Sequence, residues 1–115
     1  MIDAILIDPF DQSVSKVNVK NELQSLYEVM QCSLIEVVYL PSNQLFIIDE
    51  EGKLKKNRWF TIGANSYAGR CLLVDDSPEG EFVSSTADID SIANMLYFEE
   101  EGFHEEPKMF FTPLN

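Results

Sequence analysis

Four cations fall between positions 53 and 58 of this chain, Lys53, Lys55, Lys56 and Arg58, and an indole follows them directly at Trp59. Ammonium and guanidinium groups pair with phosphate, and a flat ring stacks on a base. Asn57, Arg58 and Trp59, with Tyr67 and Arg70 further along, are therefore candidates to hold a nucleotide-like ligand, Arg70 being equally able to pair with one of the many acids. The same run can also be read as an edge strand whose Lys53, Lys55 and Asn57 simply face water. Catalytic chemistry has less to build on. His104 is the one histidine in the chain and has no cysteine or second histidine at ligand spacing, which argues against a zinc centre or a serine–histidine nucleophile. The adjacent carboxylates Asp75 and Asp76 lie in a turn-forming stretch and read as turn acids rather than an acid–base pair or a cation site. Neither a GxxxxGK[ST] nor a GxGxxG loop occurs. The expectation is a chain with no catalytic residue, no metal and no cofactor, hence not an enzyme.

The second chemically distinctive group is acidic. The formal net charge is −12 over 115 residues. From Asp75 to Glu106 there are eleven carboxylates and neither lysine nor arginine. A surface of this kind repels nucleic acid and anionic membranes and attracts basic partners over about a Debye length. In the last part of that run Glu99, Glu100, Glu101, Glu105 and Glu106 alternate with Phe98, Phe103, Phe110 and Phe111. Solvation alone does not call for phenylalanines, so this composition suits docking, with Glu99, Glu100, Glu101, Phe103, Glu105, Glu106 and Phe110 as the candidate partner-binding set. The competing reading of the charge is that it only solubilises.

The elements that must position these groups follow from periodicity. Leu34–Asp49 has two apolar, β-branched runs around Pro41-Ser42-Asn43 and predicts a β-hairpin. Ile35, Val37 and Tyr39 face one way and Glu36, Val38 and Leu40 the other; because both faces are mainly apolar, the first strand is expected at the centre of the sheet. Ile2–Ile7 predicts a short strand, and Ser15–Lys20 alternates like an edge strand with one wet face. Asn21 and Gln24 have capping-box spacing before a helix over 22–31, whose Leu23, Leu26, Tyr27 and Met30 form a stripe. Asp49-Glu50-Glu51-Gly52 reads as a turn in which glycine supplies positive φ. Phe60–Ile62 is too short to assign, and Gly63–Ser66 reads as an irregular connection. Cys71–Val74 predicts a buried strand, Glu81–Ser84 a further one, and Ser85–Asp88 the cap of a helix over 87–99 with Ile89, Ile92, Ala93 and Leu96 inward.

The chain is thus expected to be α+β, with a mixed or antiparallel sheet of about five to six strands and two helices, ββαββ then ββα. Residues 1–98 form one domain and 99–115 an acidic aromatic tail. Cys32 and Cys71 belong to no CxxC pair and read as reduced thiols, a disulfide being the alternative. With acids where a leader would carry positive charge, and no apolar run of membrane length, the expected setting is cytoplasmic.

Together, IEVVYL at 35–40, EEGKL at 50–54, the Asn57-Arg58 pair, AGRCLLV at 68–74 and EGEFVSST at 79–86 resemble a small domain-of-unknown-function family of phage and plasmid proteins. The likeness spans roughly Ile2 to Ala93. That family commonly offers Pro-Asn-Arg where Lys56 precedes Asn57 here, and the segment after Phe98 resembles an addition. The resemblance implies a mobile-element origin and one α+β domain, and no established activity. Two functions are expected in competition. One is a non-enzymatic, anti-defence type of inhibitor or modulator that meets a basic surface on a host protein in the host cytoplasm. The other is a binder or sponge for a nucleotide-like signal. Nucleic acid and membrane are disfavoured as partners, and a homodimer is left open.

Overall fold

The computed structural model describes residues 1–105, so Glu106 and Phe110 of the candidate docking set lie outside the described residues. Two antiparallel sheets and two helices make an α+β fold. The strands are β1 (Ile2–Asp8), β2 (Ser13–Val19), β3 (Ile35–Tyr39), β4 (Gln44–Asp49), β5 (Trp59–Ile62), β6 (Asn65–Ala68), β7 (Cys71–Asp76), β8 (Phe82–Val83) and β9 (Leu96–Phe98); the helices are α1 (Leu23–Met30) and α2 (Ile89–Met95). Six strands form the main sheet in the order β2-β1-β7-β4-β3, with β8 paired to the end of β7, and three form a second sheet in the order β6-β5-β9.

Side-chain alternation divides the core into two. Ala4, Val19, Leu45, Ile47, Leu72 and Val74 point to one face of the main sheet and meet Leu26 and Met30 of α1. Ile5, Ile7, Phe46, Cys71 and Leu73 point to the other and meet Phe60 and Tyr67 of the small sheet, with Ile89 and Ile92 of α2 alongside. Three layers result, a helix, a six-stranded sheet, and a small sheet with a helix. Each strand of the main sheet serves both interfaces because its period is two.

The hairpin forms around Pro41-Ser42-Asn43, with Ser42 and Asn43 both in the left-handed region (φ 64° and 59°), and β3 pairs β4 from Ile35↔Asp49 to Tyr39↔Leu45. Its first strand, however, is an edge. The centre of the sheet is β7, which pairs β1 on one side and β4 on the other. The expectation failed because apolar residues on both faces report layers above and below a strand, whereas a central position requires neighbours beside it, which composition does not encode. The opposite edge is β2, as its alternation with Lys16, Asn18 and Lys20 exposed suggested.

Several local expectations are corrected. Asn21 does not cap α1; Glu22 holds that position without a side-chain bond, while Asn21 Nδ2 donates to the Phe82 carbonyl at 3.1 Å, and Leu23 is exposed rather than part of the stripe. The second helix is capped by Asp88, whose carboxylate accepts from the Ser91 N–H at 3.2 Å, and it ends at Met95. Leu96–Phe98 leave it as β9 and pair β5, since in extended geometry Leu96 and Phe98 both reach one core, whereas a helix would set them on opposite sides, and β5 has an open side to receive them. Phe60–Ile62, too short to assign, and part of the Gly63–Ser66 connection, expected to be irregular, belong to the β5–β6 hairpin, in which Trp59–Ile62 pairs Asn65–Ala68. Lys53–Arg58 is not an edge strand: Gly52–Leu54 is a 3-10 turn and the residues up to Trp59 have no ladder partner. Gly52 is needed there for approach rather than for positive φ, because a Cβ would stand 2.5 Å from the Ala68 carbonyl oxygen. Cys32 and Cys71 are both free thiols, and burial pushes the Cys71 thiol well up.

Because β7 feeds both cores and β3 lies at the rim, truncations on the two strands should differ. Leu72→Ala, at a fully buried site, is expected to cost about 2–5 kcal/mol. Val38→Ala, half-buried on the edge, is expected to cost about 1 kcal/mol. Urea denaturation midpoints at constant slope measure both; equal losses would restore β3 to the centre.

Candidate functional site

The connection between β4 and β5 is held in place by charge and amide bonds. Asp49, buried at the end of β4, accepts the Glu51 N–H on one oxygen and the Lys55 ammonium on the other, each at 2.9 Å. Asn57 Nδ2 donates to the Gly52 carbonyl at 2.9 Å and lies beside Gly69. The Gly69 N–H donates to the Arg58 carbonyl. Asn57 thus fastens the 3-10 turn against the β6–β7 connection, which fixes where the basic side chains emerge.

What they emerge into is a cleft of about 540 Å³. One wall is Lys53, Lys55, Lys56, Asn57, Arg58 and Trp59, and the other is Glu101 to His104, with Phe10 from the β1–β2 loop at the rim. The chain after β9 therefore turns back over the basic run. The Phe103 ring meets Trp59 edge-on with centroids 5.4 Å apart, and the Lys53 ammonium stands 5.7 Å from the Trp59 centroid and 3.0 Å from a Glu105 carboxylate oxygen. Arg58 Nη2 donates to the Glu99 carbonyl at 3.4 Å, and its Nε is buried with no hydrogen-bond partner among the described residues. Thr61 donates to the Glu99 carboxylate and shares a hydrogen bond with Ser66.

Candidates from two separate readings converge here. Asn57, Arg58 and Trp59 from the ligand set share the cleft with Glu101 and Phe103 from the docking set, while Glu99 and Glu105 bond at its margin. Glu100 and Glu101 are exposed. Tyr67 does not join them. Paired residues share a face, so Trp59 lies with Ala68 and Phe60 with Tyr67, and Tyr67 packs in the core against Phe46 at 5.4 Å. Burial pushes its phenol pKa up, with Cys71 and Glu105 adding to the shift. Arg70 is also elsewhere. Its guanidinium meets the buried Asp8 carboxylate at 3.4 Å and donates to the Val29 carbonyl of α1 at 3.0 Å, so it pairs with an acid instead of extending the basic patch. Asp8 in turn accepts the N–H groups of Phe10 and Asp11, which shapes the loop carrying Phe10. Phe10 and His104 carried no local sequence signal; only the fold brings them to the cleft. Among the described residues no cluster of histidine, cysteine and carboxylate groups could hold a metal ion, and no helix is long and apolar enough to cross a membrane.

The family model of a domain of unknown function, DUF3846, matches residues 2–97. The chain belongs to that family. No curated protein and no solved structure matches it. The matched span covers the three layers and the whole basic wall and stops within β9, so in this DUF3846 chain the acidic wall of the cleft lies beyond the family match.

Two measurements test the geometry. The hydrogen bond to Asp49 is the main cause that raises the Lys55 pKa above 10.5. A raised folded pKa gives stability that is full below the unfolded value and lost as pH climbs through the folded one. The difference in thermal midpoint between the parent and Lys55→Met should therefore hold constant from about pH 6 to 9 and shrink above the ordinary lysine range. Phe103→Ala should leave the fold intact, cost about 1–2 kcal/mol and shift the emission of Trp59, the one tryptophan, to the red; unchanged emission would place Phe103 elsewhere.

Proposed function

We propose that this DUF3846 chain is a non-enzymatic binding module of mobile-element origin, whose cleft takes a planar ligand bearing phosphate, such as a nucleotide signal. The observation that carries the reading is one of segregation. In a chain of net charge −12, four of its eight cations and three aromatic rings line a single cleft. Arg58 has the fork geometry that phosphate prefers, and its buried Nε has no hydrogen-bond partner among the described residues. Trp59 supplies the stacking surface, but Phe103 covers it, and Glu105 holds Lys53. A ring and a carboxylate of the chain itself stand where a base and a phosphate would bind.

That self-contact is weak. The Lys53–Glu105 pair is largely exposed, and such pairs contribute roughly 0–1 kcal/mol; the aromatic contact adds about 0.5–1.5 kcal/mol. Displacing both costs a ligand on the order of tenfold in affinity. A panel of mono- and cyclic nucleotides titrated against Trp59 fluorescence should give saturable quenching with at least one member. Truncation after Phe98 should tighten it about tenfold, and Arg58→Gln should weaken it about tenfold or more. A flat response from both the full and truncated chains up to about 1 mM ligand would remove the proposal.

A second reading, docking of the acidic segment on a basic host protein that it modulates or inhibits, draws on the exposed Glu100 and Glu101 and on the unbroken acidity from Asp75 to Glu106. Its signature is opposite in charge. Replacing Glu99, Glu100, Glu101, Glu105 and Glu106 by glutamine abolishes binding to a basic host protein and its salt dependence, whereas nucleotide binding by the cleft is kept or strengthened.

A further inference from the structure

The edge strand β3 differs from the opposite border of the main sheet, β2. Leu40 donates its N–H to the Gln44 carbonyl, and the Leu34 carbonyl accepts from the Glu50 N–H. With the register of β3 on β4, residues 34, 36, 38 and 40 therefore direct their backbone groups inward. Ile35, Val37 and Tyr39 direct their N–H and C=O groups outward, without a strand beside them among the described residues. Natural edges are usually blunted by lysine, proline or a bulge. The opposite edge, β2, follows that rule with Lys16 and Asn18 exposed on the strand and Lys20 just past its end. On β3 the pairing is regular from Ile35 to Tyr39, and Tyr39 is 74% and Leu34 44% exposed.

Charge identifies the occupant. From Met30 to Ile48 Glu36 is the one charged side chain, in a chain that is 24% charged. A basic partner finds almost nothing to read along this border, and the carboxylates that would repel a second copy belong to other segments. The strand is also complementary to itself. Antiparallel pairing about a two-fold axis at Val37 sets Val37 opposite Val37, Ile35 opposite Tyr39, and Glu36 opposite Val38. Every outward N–H and C=O then finds a partner, β-branched and aromatic side chains face each other, and no like charges stand directly opposite, the two Glu36 carboxylates being diagonal neighbours. The side chains of Ile35 and Val37 already extend the helix-side core, which the second copy would continue.

We propose that two copies of this chain associate through β3 in that register, joining their main sheets into one continuous sheet. The dimer surface is on the border opposite β2 and is independent of the cleft. Sedimentation equilibrium of the full chain should show a monomer–dimer exchange in the micromolar range, tighter at higher salt as the residual repulsion between the acidic copies is screened. Val37→Pro removes an outward N–H and leaves the bonds to β4 in place, an edge position where proline is tolerated. It should weaken association at least about 100-fold while far-ultraviolet circular dichroism stays native. Should that variant lose the native spectrum, Tyr39→Lys, at an exposed position, carries the test with the same expected loss. A parent chain that stays monomeric to about 1 mM, or a dimer that persists in the folded variants, would overturn the proposal.

Discussion

Everything in this molecule depends on β7 being buried on both faces at once. Cys71, Leu72, Leu73 and Val74 are all exposed by 1% or less, and they alternate between the α1 layer and the small-sheet layer. The strands on either side, β1 and β4, repeat the same division with Ala4 against Ile5 and Leu45 against Phe46. Neither layer can therefore be lost without exposing half of every central strand. A domain of 115 residues buries only about two-thirds of its unfolded surface, so two separate cores are sustained only because one sheet supplies a wall to both.

Ion pairs perform a different task, attaching loops to this frame. Asp49 and Asp8 terminate β4 and β1 and are nearly buried; Asp49 accepts one backbone N–H from the turn that follows and Asp8 two, and each pairs with one cation, Lys55 or Arg70. A buried pair repays little beyond its desolvation cost. Its value here is positional: the Asp49 cluster sets the basic run, and the Asp8 cluster sets Phe10 at the far rim of the same cleft. With Lys53 drawn to Glu105 as well, the three ion pairs among the described residues fix loop geometry more than they stabilise the fold.

The cleft also resolves a tension in the charge distribution. A strongly acidic chain that kept its basic run fully open would invite association with its own acidic segment from another copy. Here that segment folds back on the run within the chain, with Glu105 paired to Lys53 and Phe103 set against Trp59. The border at β3, with Glu36 as its one charge, is separate in character: it offers outward backbone groups and mainly apolar side chains.

Much of the fold was legible in the residues, because the signals were local. The strands at β1, β2, β4 and β7, the hairpin at Asn43, the helix stripe of Leu26 and Met30, the α+β class and the chemical character of Lys53–Trp59 all follow from period, propensity and side-chain type. The order of the strands does not, since two-sided apolarity places β3 between layers but is silent on its lateral neighbours. The split of Leu96–Phe98 from α2 was equally hidden, because Leu96 fits the helical stripe of Ile89 and Ile92 as well as a strand alternation with Phe98, and the open side of β5 decided between them. The site was half legible. Asn57, Arg58 and Trp59 were visible as a motif, but Tyr67 was assigned to it by proximity in the chain, and Arg70 had either the patch or an acid to pair with; strand parity turns Tyr67 into the core, and Asp8 claims Arg70. That Phe10 comes to the basic run from one end of the sequence, and Phe103 and Glu105 from the other, only the tertiary structure could decide, because contacts between distant segments are set by which buried faces must meet and leave no mark on local composition.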